Sequence, residues 1–308
     1  MLRYIVLRIL QGFITAFVLL TLVFIFAHII GTPIDLIVPP EASPSERAEA
    51  ARKLGLDEPY TVQYAKYVGA LVTGDAGDSI KFHRPVGDLF LERLPNTARL
   101  AGLALLLAVG IGVPVGVLAA TRRGTMVDDI ARAASVVGMS APDFWVGVML
   151  VFFFAVYLRI LPVARMEEPT AYILPALALS FPVLAGTARL VRSSLVEVLG
   201  SEYIKLARIK GASGSAVVWK HALRNALLPV VTFLGVNLAG LVNGSVAVET
   251  VYAWPGVGRL MYEGINGKDY PLVQGLLLIL GFVVIGLNLG VDILYTYIDP
   301  RIRLGRAR

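Results

Sequence analysis

The sequence has 308 residues, of which 56% are hydrophobic and only 16% charged, with 28 Lys and Arg against 22 Asp and Glu. A soluble domain carries about 25% charged residues, so this balance excludes an ordinary soluble globular domain and points to lipid as the solvent. There is no cysteine, which excludes a disulfide framework, a thiolate metal site and thiol redox chemistry.

The apolar residues collect in six long blocks, at 9–30, 97–120, 132–158, 171–191, 226–249 and 272–297. Each is long enough to cross a hydrocarbon core about 30 Å thick at about 1.5 Å of rise per residue. Backbone amides find no water there, so the spans must be helices or a closed barrel, and unbroken apolar runs lack the alternation a barrel needs. The expected fold is an all-α integral membrane bundle of six transmembrane helices. The first block follows Arg3 and Arg8, but its apolar part exceeds that of a secretory signal and no cleavage site follows, so 1–30 reads as the amino terminus and a retained first span.

Residues 31–96 form an external segment too long to be bare loop. Ser43-Pro44-Ser45-Glu46 supplies an N-cap, a proline at the first helical position and a capping-box glutamate, and Gly55 a stop, which predicts a helix near 44–54. A second is predicted over 59–73, opened by Pro59 and stopped by Gly74. The segment reads either as a lid over the bundle or as a docking surface for an external partner. Within the five-helix core, 97–297, Pro114, Pro142, Pro175 and Pro182 interrupt apolar runs, and each is expected to bend its helix.

The connection 195–226 is polar yet patterned. Ile204, Ala207 and Gly211, with Leu206 and Ile209 beside them, fall near helical spacing among Lys205, Arg208 and Lys210, which predicts a short amphipathic helix stopped by Gly211. It either projects from the membrane or lies among the lipid headgroups. Basic residues fix its side. The amino terminus, the second-to-third connection, this connection together with Arg189 and Arg192 just ahead of it, and the tail 298–308 hold 16 of the 28 Lys and Arg, so both termini are expected in the cytoplasm. Basic flanks against anionic lipid also account for the net charge of +6 without any nucleic acid.

The stretch Ala207-x3-Gly211, followed by His221-Ala-Leu-Arg224-Asn225 and Leu228-Pro229, resembles the cytoplasmic coupling loop of the permease subunits of ATP-binding-cassette (ABC) importers. The general motif has Glu-Ala-Ala where Lys205-Leu206-Ala207 stands, and Ile-x-Leu-Pro where His221-x-Leu223-Arg224 stands, so only Ala207 and Gly211 agree with it. Further stretches resemble the first permease subunit of the dipeptide, oligopeptide and nickel branch, in which those departures are ordinary. They are Leu54-Gly-Leu-Asp57 with Pro59, Val62-Gln63-Tyr64 and Gly74-Asp75-x-Gly77; Glu249-x-Val251-Tyr252-x-Trp254-Pro255-Gly256-Val257-Gly258; Asp269-Tyr270-Pro271-x-Val273-Gln274-Gly275; and Asp299-Pro300-Arg301-x-Arg303.

The resemblance implies a type I ABC importer permease of the inner membrane, paired with a second homologous permease subunit. Two ATP-hydrolysing subunits and an external substrate-binding protein would complete the transporter. Tyr203, Lys205, Ala207, Arg208, Lys210, Gly211, His221, Arg224 and Asn225 would meet the ATPase, and the cargo would be a dipeptide or oligopeptide. Nickel chelates, glutathione and sugars are the alternative cargoes. The nearest phosphate-loop candidate, Gly211-Ala-Ser-Gly214-Ser215, lacks the lysine, so ATP and magnesium belong to the partners and the chain itself is expected to need no cofactor and no metal.

Two other classes of membrane protein need residues of a different kind. An ion-coupled secondary transporter needs ionisable groups at mid-membrane depth. His28 and Asp292 fall near span ends, leaving Asp143, after Pro142, which faces the substrate pathway on one reading and caps a restarting helix on the other. A membrane-embedded enzyme needs a nucleophile with a base. Ser245 has no histidine near it in sequence, and His221 is separated from His28 and His83, which fall on the far side.

Overall fold

The computed structural model describes residues 2–30, 43–53, 57–163 and 168–298. The tail signature from Asp299, the stretch Leu54-Gly55-Leu56, and the side chains of Arg3, His28, Glu46 and Ser245 lie outside the described residues. Twelve helices and one hairpin are used below: α1 (Leu2–Ile30), α2 (Pro44–Lys53), α3 (Tyr60–Val72), the hairpin β1 (Asp78–Ser79) with β2 (Arg84–Pro85), α4 (Val86–Thr121), α5 (Met126–Ser140), α6 (Asp143–Tyr157), α7 (Ile173–Leu199), α8 (Glu202–Ile209), α9 (Gly214–Ala226), α10 (Leu228–Val251), α11 (Val257–Asn266) and α12 (Tyr270–Ile298).

Among the described residues, four helices are long and apolar enough to span a membrane: Val6–Phe26 within α1, α4, α7 with the 3₁₀ turn Pro169–Tyr172 that opens it, and Tyr270–Ile293 within α12. Two bent pairs, α5 with α6 and α9 with the first part of α10, raise the number to six if each pair counts as one span. The sequence suggests a single kinked span over 132–158, whereas the chain folds α5 and α6 at 106° to one another. The cause is local. Pro142 drives the residue before it out of the helical region, so Ala141 is extended (φ −76°, ψ 126°), Pro142 is extended too (φ −62°, ψ 136°), and two non-helical residues in a row turn a kink into a corner. Pro114 and Pro182, by contrast, lie inside unbroken helices. The second span also begins earlier than its apolar run, because α4 starts at Val86 and carries Asp88, Glu92, Arg93 and Arg99 on its first turns. Its 36 residues extend about 54 Å, well beyond the hydrocarbon thickness.

The chain divides into two compact units. One comprises Met1–Pro95 and Pro255–Leu289. Within it, Asp269 joins the hairpin to α12. One carboxylate oxygen accepts the Ser79 hydroxyl (2.5 Å) and the Lys81 amide (2.9 Å), and the other accepts the Leu272 amide (3.1 Å), the N3 position of α12. Gly275 follows one turn later, where a Cβ would stand 2.6 Å from the Ala76 carbonyl oxygen, so only glycine allows that approach.

The other unit comprises Asn96–Trp254 and Gly290–Arg308, with α7 at its centre, packed on α5, α6 and α10. Leu174, Ala178, Leu179 and Val183 of α7 are buried with Leu100, Ala104 and Ala108 of α4 and with Tyr252 and Trp254. Close approach follows from small residues: a Cβ on Gly112 would meet the Leu184 carbonyl at 2.9 Å, and one on Gly116 the Ala188 carbonyl at 2.6 Å. Gly112-x3-Gly116 is thus the small-residue seam by which membrane helices gain van der Waals contact when lipid offers no hydrophobic contrast.

Candidate functional site

The sequence places its functional expectation on the loop after α7, and there the structure puts α8. Ser201 precedes the helix in extended conformation, and Glu202 occupies the first turn, where a carboxylate favours the positive end of the helix dipole. The stop is a Schellman motif: the Gly211 amide bonds the Arg208 carbonyl (3.0 Å), the Ala212 amide bonds the Ala207 carbonyl (3.1 Å), and Gly211 takes φ +84°. A left-handed residue is required at that position, which is what glycine supplies. Ser213 then opens α9 by accepting the Ala216 amide (3.3 Å).

One side chain roots α8. Ile204 is fully buried among Val117 and Ala120 of α4, Val191 and Leu195 of α7, and Val217, Ala222 and Leu223 of α9. The opposite face stays open. Tyr203, Leu206 and Ile209 are exposed apolar groups, Ile209 to 82%, and Lys205, Arg208, Lys210 and Gly211 are exposed around them. Lys205 pairs with Glu202 (2.7 Å) on the surface, while Ala207 is half-buried. The Tyr203 hydroxyl accepts Asn225 Nδ2 (2.8 Å) and makes a longer bond, 3.5 Å, to the His221 carbonyl. Tyr203, His221 and Asn225 therefore tie α8 to α9, and Arg224 stands exposed beside Asn225. His221 contributes its backbone there, and no cluster of His, Asp and Glu suited to a metal occurs among the described residues.

Beneath this platform lies a feature the sequence reading passed over. Asp128, near the start of α5, is 1% exposed and receives a two-pronged contact from Arg192 of α7, Nε to Oδ1 at 2.7 Å and Nη2 to Oδ2 at 2.8 Å. The Gly124 amide adds a third bond at 3.0 Å. A buried carboxylate is tolerable only when its lone pairs are so occupied. Arg192 directly follows Val191 and lies one turn before Leu195, the two residues that hold Ile204, so the ends of α5 and α7 and the root of α8 make one block. The signal in the sequence was an acid at N3 of a helix opened by Gly124-Thr125, legible as a cap but not as an ion pair spanning 64 residues.

Asp143 is the first residue of α6, half-exposed, with Oδ1 accepting the Phe144 amide (2.7 Å). Glu249 of α10 is completely buried and accepts the Thr97 hydroxyl (2.7 Å). The neighbouring motif residues are equally internal: the Tyr252 hydroxyl donates to the Gly147 carbonyl (2.9 Å), Trp254 Nε1 donates to the Asn96 carbonyl (3.2 Å), and Trp254 packs edge-on against Tyr172 at 4.6 Å. The Glu249–Trp254 signature thus fastens α10 to α4 and α6.

The site is thus a short polar helix that follows a membrane-length apolar helix, rooted by Ile204 and open on its other face. A family model described as "Binding-protein-dependent transport system inner membrane component" matches residues 112–304, and one described as "Binding-prot-dependent transport system membrane comp, N-term" matches residues 1–101. The chain belongs to this family of ABC importer permeases, as the coupling-loop resemblance implied. It is 39% identical over 304 residues to the "Glutathione transport system permease protein GsiC" of Salmonella paratyphi A (strain ATCC 9150 / SARB42), covering 98% of this chain and 99% of that protein. The protein of the same description from Escherichia coli (strain K12) is 40% identical over the same span. A solved structure described as "Inward facing conformations of the MetNI methionine ABC transporter: CY5 native crystal form" shares the fold with a TM-score of 0.57 at 23% identity, over 68% of this chain and 96% of that one.

Proposed function

We propose that this chain forms half of the translocation pathway of an ABC importer for glutathione-sized peptides, and that α8 is the element gripped by an ATP-hydrolysing subunit. The observation that carries the reading is the two-sided character of α8. Ile204 is locked into the bundle while Leu206 and Ile209 stand uncovered among lysines and arginines, an arrangement that a protein groove lined with apolar and acidic groups would complete. A second homologous permease subunit would supply the other half of the pathway, and two ATPases, which hold ATP and magnesium, would sit beneath. An external binding protein would deliver the solute. Both termini and α8 lie in the cytoplasm on this reading, with six spans in the inner membrane and residues 31–96 outside.

Closure of the ATPases around nucleotide would move α8, and through Ile204 and the Asp128–Arg192 pair the ends of α4, α5 and α7 would follow as one body. Relatives 39–40% identical over nearly the whole chain are glutathione permeases by description, and glutathione is a tripeptide, which favours a short peptide over a nickel chelate or a sugar. Asp143, at the corner between α5 and α6, is the pathway residue.

The test of coupling is the double variant Leu206→Glu with Ile209→Glu, purified with its partners. The chain should remain in the membrane and copurify with the second permease while the ATPases are lost; retained ATPases with normal uptake would overturn the role of α8. Mass spectrometry of the ligand held by the copurified binding protein decides the cargo, and a non-peptide ligand would reject that part. Asp143→Ala should lower uptake without affecting assembly, and unchanged uptake removes Asp143 from the pathway.

A further inference from the structure

The sequence leaves α3 as a lid or a docking surface in water, and its contacts point elsewhere. Its inner face carries Tyr64 and Tyr67, both packed on α1. The Tyr64 hydroxyl bonds the Thr21 hydroxyl (2.9 Å), its ring meets Phe17 at 6.5 Å and Phe24 at 5.2 Å, and Tyr67 meets Phe24 at 5.7 Å. All three α1 residues lie inside the apolar window Val6–Phe26. Tyr64 and Tyr67 therefore meet α1 at the depth of its apolar run.

The outer face of α3 suits that depth. Val62, Ala65, Gly69 and Val72 share one side of the helix and are exposed, Val72 to 82%. No residue of α3 is buried, so its packing on α1 covers only the tyrosine side. The one charged group, Lys66, is paired with Glu58 just ahead of the helix (2.6 Å), and its long stem lets the ammonium reach the headgroups while the helix stays below them. Tyr60, Tyr64 and Tyr67 supply the aromatic content typical of a membrane–water boundary. The exposed face of α1, with Phe13 at 70% and Phe17 at 61%, continues the same apolar surface.

We infer that α3 is embedded in the outer leaflet, with Val62, Ala65, Gly69 and Val72 facing phospholipid. The external segment then holds α1 by a helix that shares its solvent. The absence of native cysteine makes the test direct. Single-cysteine variants Val62→Cys, Ala65→Cys and Val72→Cys, with Phe13→Cys as the lipid reference, are spin-labelled in the assembled transporter in phosphatidylethanolamine–phosphatidylglycerol vesicles. Collision rates with oxygen and with a water-soluble nickel chelate are then compared. Oxygen should exceed the chelate severalfold at Val62 and Ala65, approaching the Phe13 ratio. Preference for the chelate would make α3 a water-facing lid, and loss of both collisions would place a protein partner on it; either overturns the assignment.

Discussion

The helices α3 and α8 are built alike and differ in what surrounds them. Each is short, ends in a Schellman motif on a left-handed glycine, and leaves apolar side chains uncovered: Gly74 closes α3 with φ +86° as Gly211 closes α8 with φ +84°. The difference lies in charge and in rooting. Lys66 is the only charged residue of α3, whereas α8 holds Glu202, Lys205 and Arg208 within eight residues. No residue of α3 is buried, whereas Ile204 of α8 is sealed completely. Uncovered apolar surface alone does not name its partner. On the assignments proposed above, charge density and rooting would separate a surface that takes a protein partner from one that takes lipid.

The strongest way to break this comparison is to remove the foundation of α8. Arg192→Leu removes the two-pronged partner of the buried Asp128 carboxylate and leaves it only Arg132, whose Nε stands 3.8 Å away; the amount of folded chain in the membrane should fall severalfold, the largest effect expected of a single change, as read by fluorescence-detected size exclusion. Arg192→Lys, which restores the charge but not the planar fork, should recover only part. Next, Ile204→Ala should cost roughly 2 to 5 kcal/mol of stability, whereas Val62→Ala on α3 should leave the melting temperature in lipid nearly unchanged. Equal losses would erase the contrast in rooting. Thr21→Val removes the Tyr64 partner and should cost about 1 kcal/mol, seen as a small drop in melting temperature with uptake retained. Gly211→Ala strains a left-handed position and should cost about 1 to 2 kcal/mol locally. Its readout is faster hydrogen exchange at the end of α8, without the collapse of assembly expected of Arg192→Leu.

Much of the candidate site was legible along the chain because it is local. Helix periodicity around Ile204 and the stop at Gly211 involve residues no more than five apart. The apolar runs likewise marked the long helices, since a run of lipid-compatible residues is a property of contiguous sequence. The corner at Pro142 was half legible: proline announced a bend, but 106° required Ala141 and Pro142 to be extended together. The partners of Asp128, Glu249 and Asp269 were not legible, because they lie 64, 152 and 190 residues away in the chain. A carboxylate in a helical run looks the same whether it faces water, caps a helix or is buried against an arginine.

By itself the amino-acid sequence determined that this protein lives in lipid, where its helices run, and that a polar helix interrupts them near residue 205. Those properties follow from transfer free energies and backbone geometry summed over neighbouring residues. Tertiary structure alone decided which carboxylates are sealed, which face of α8 is rooted and which residues of α1 meet α3. Those depend on contacts between segments far apart in the chain, and hydropathy carries no record of them.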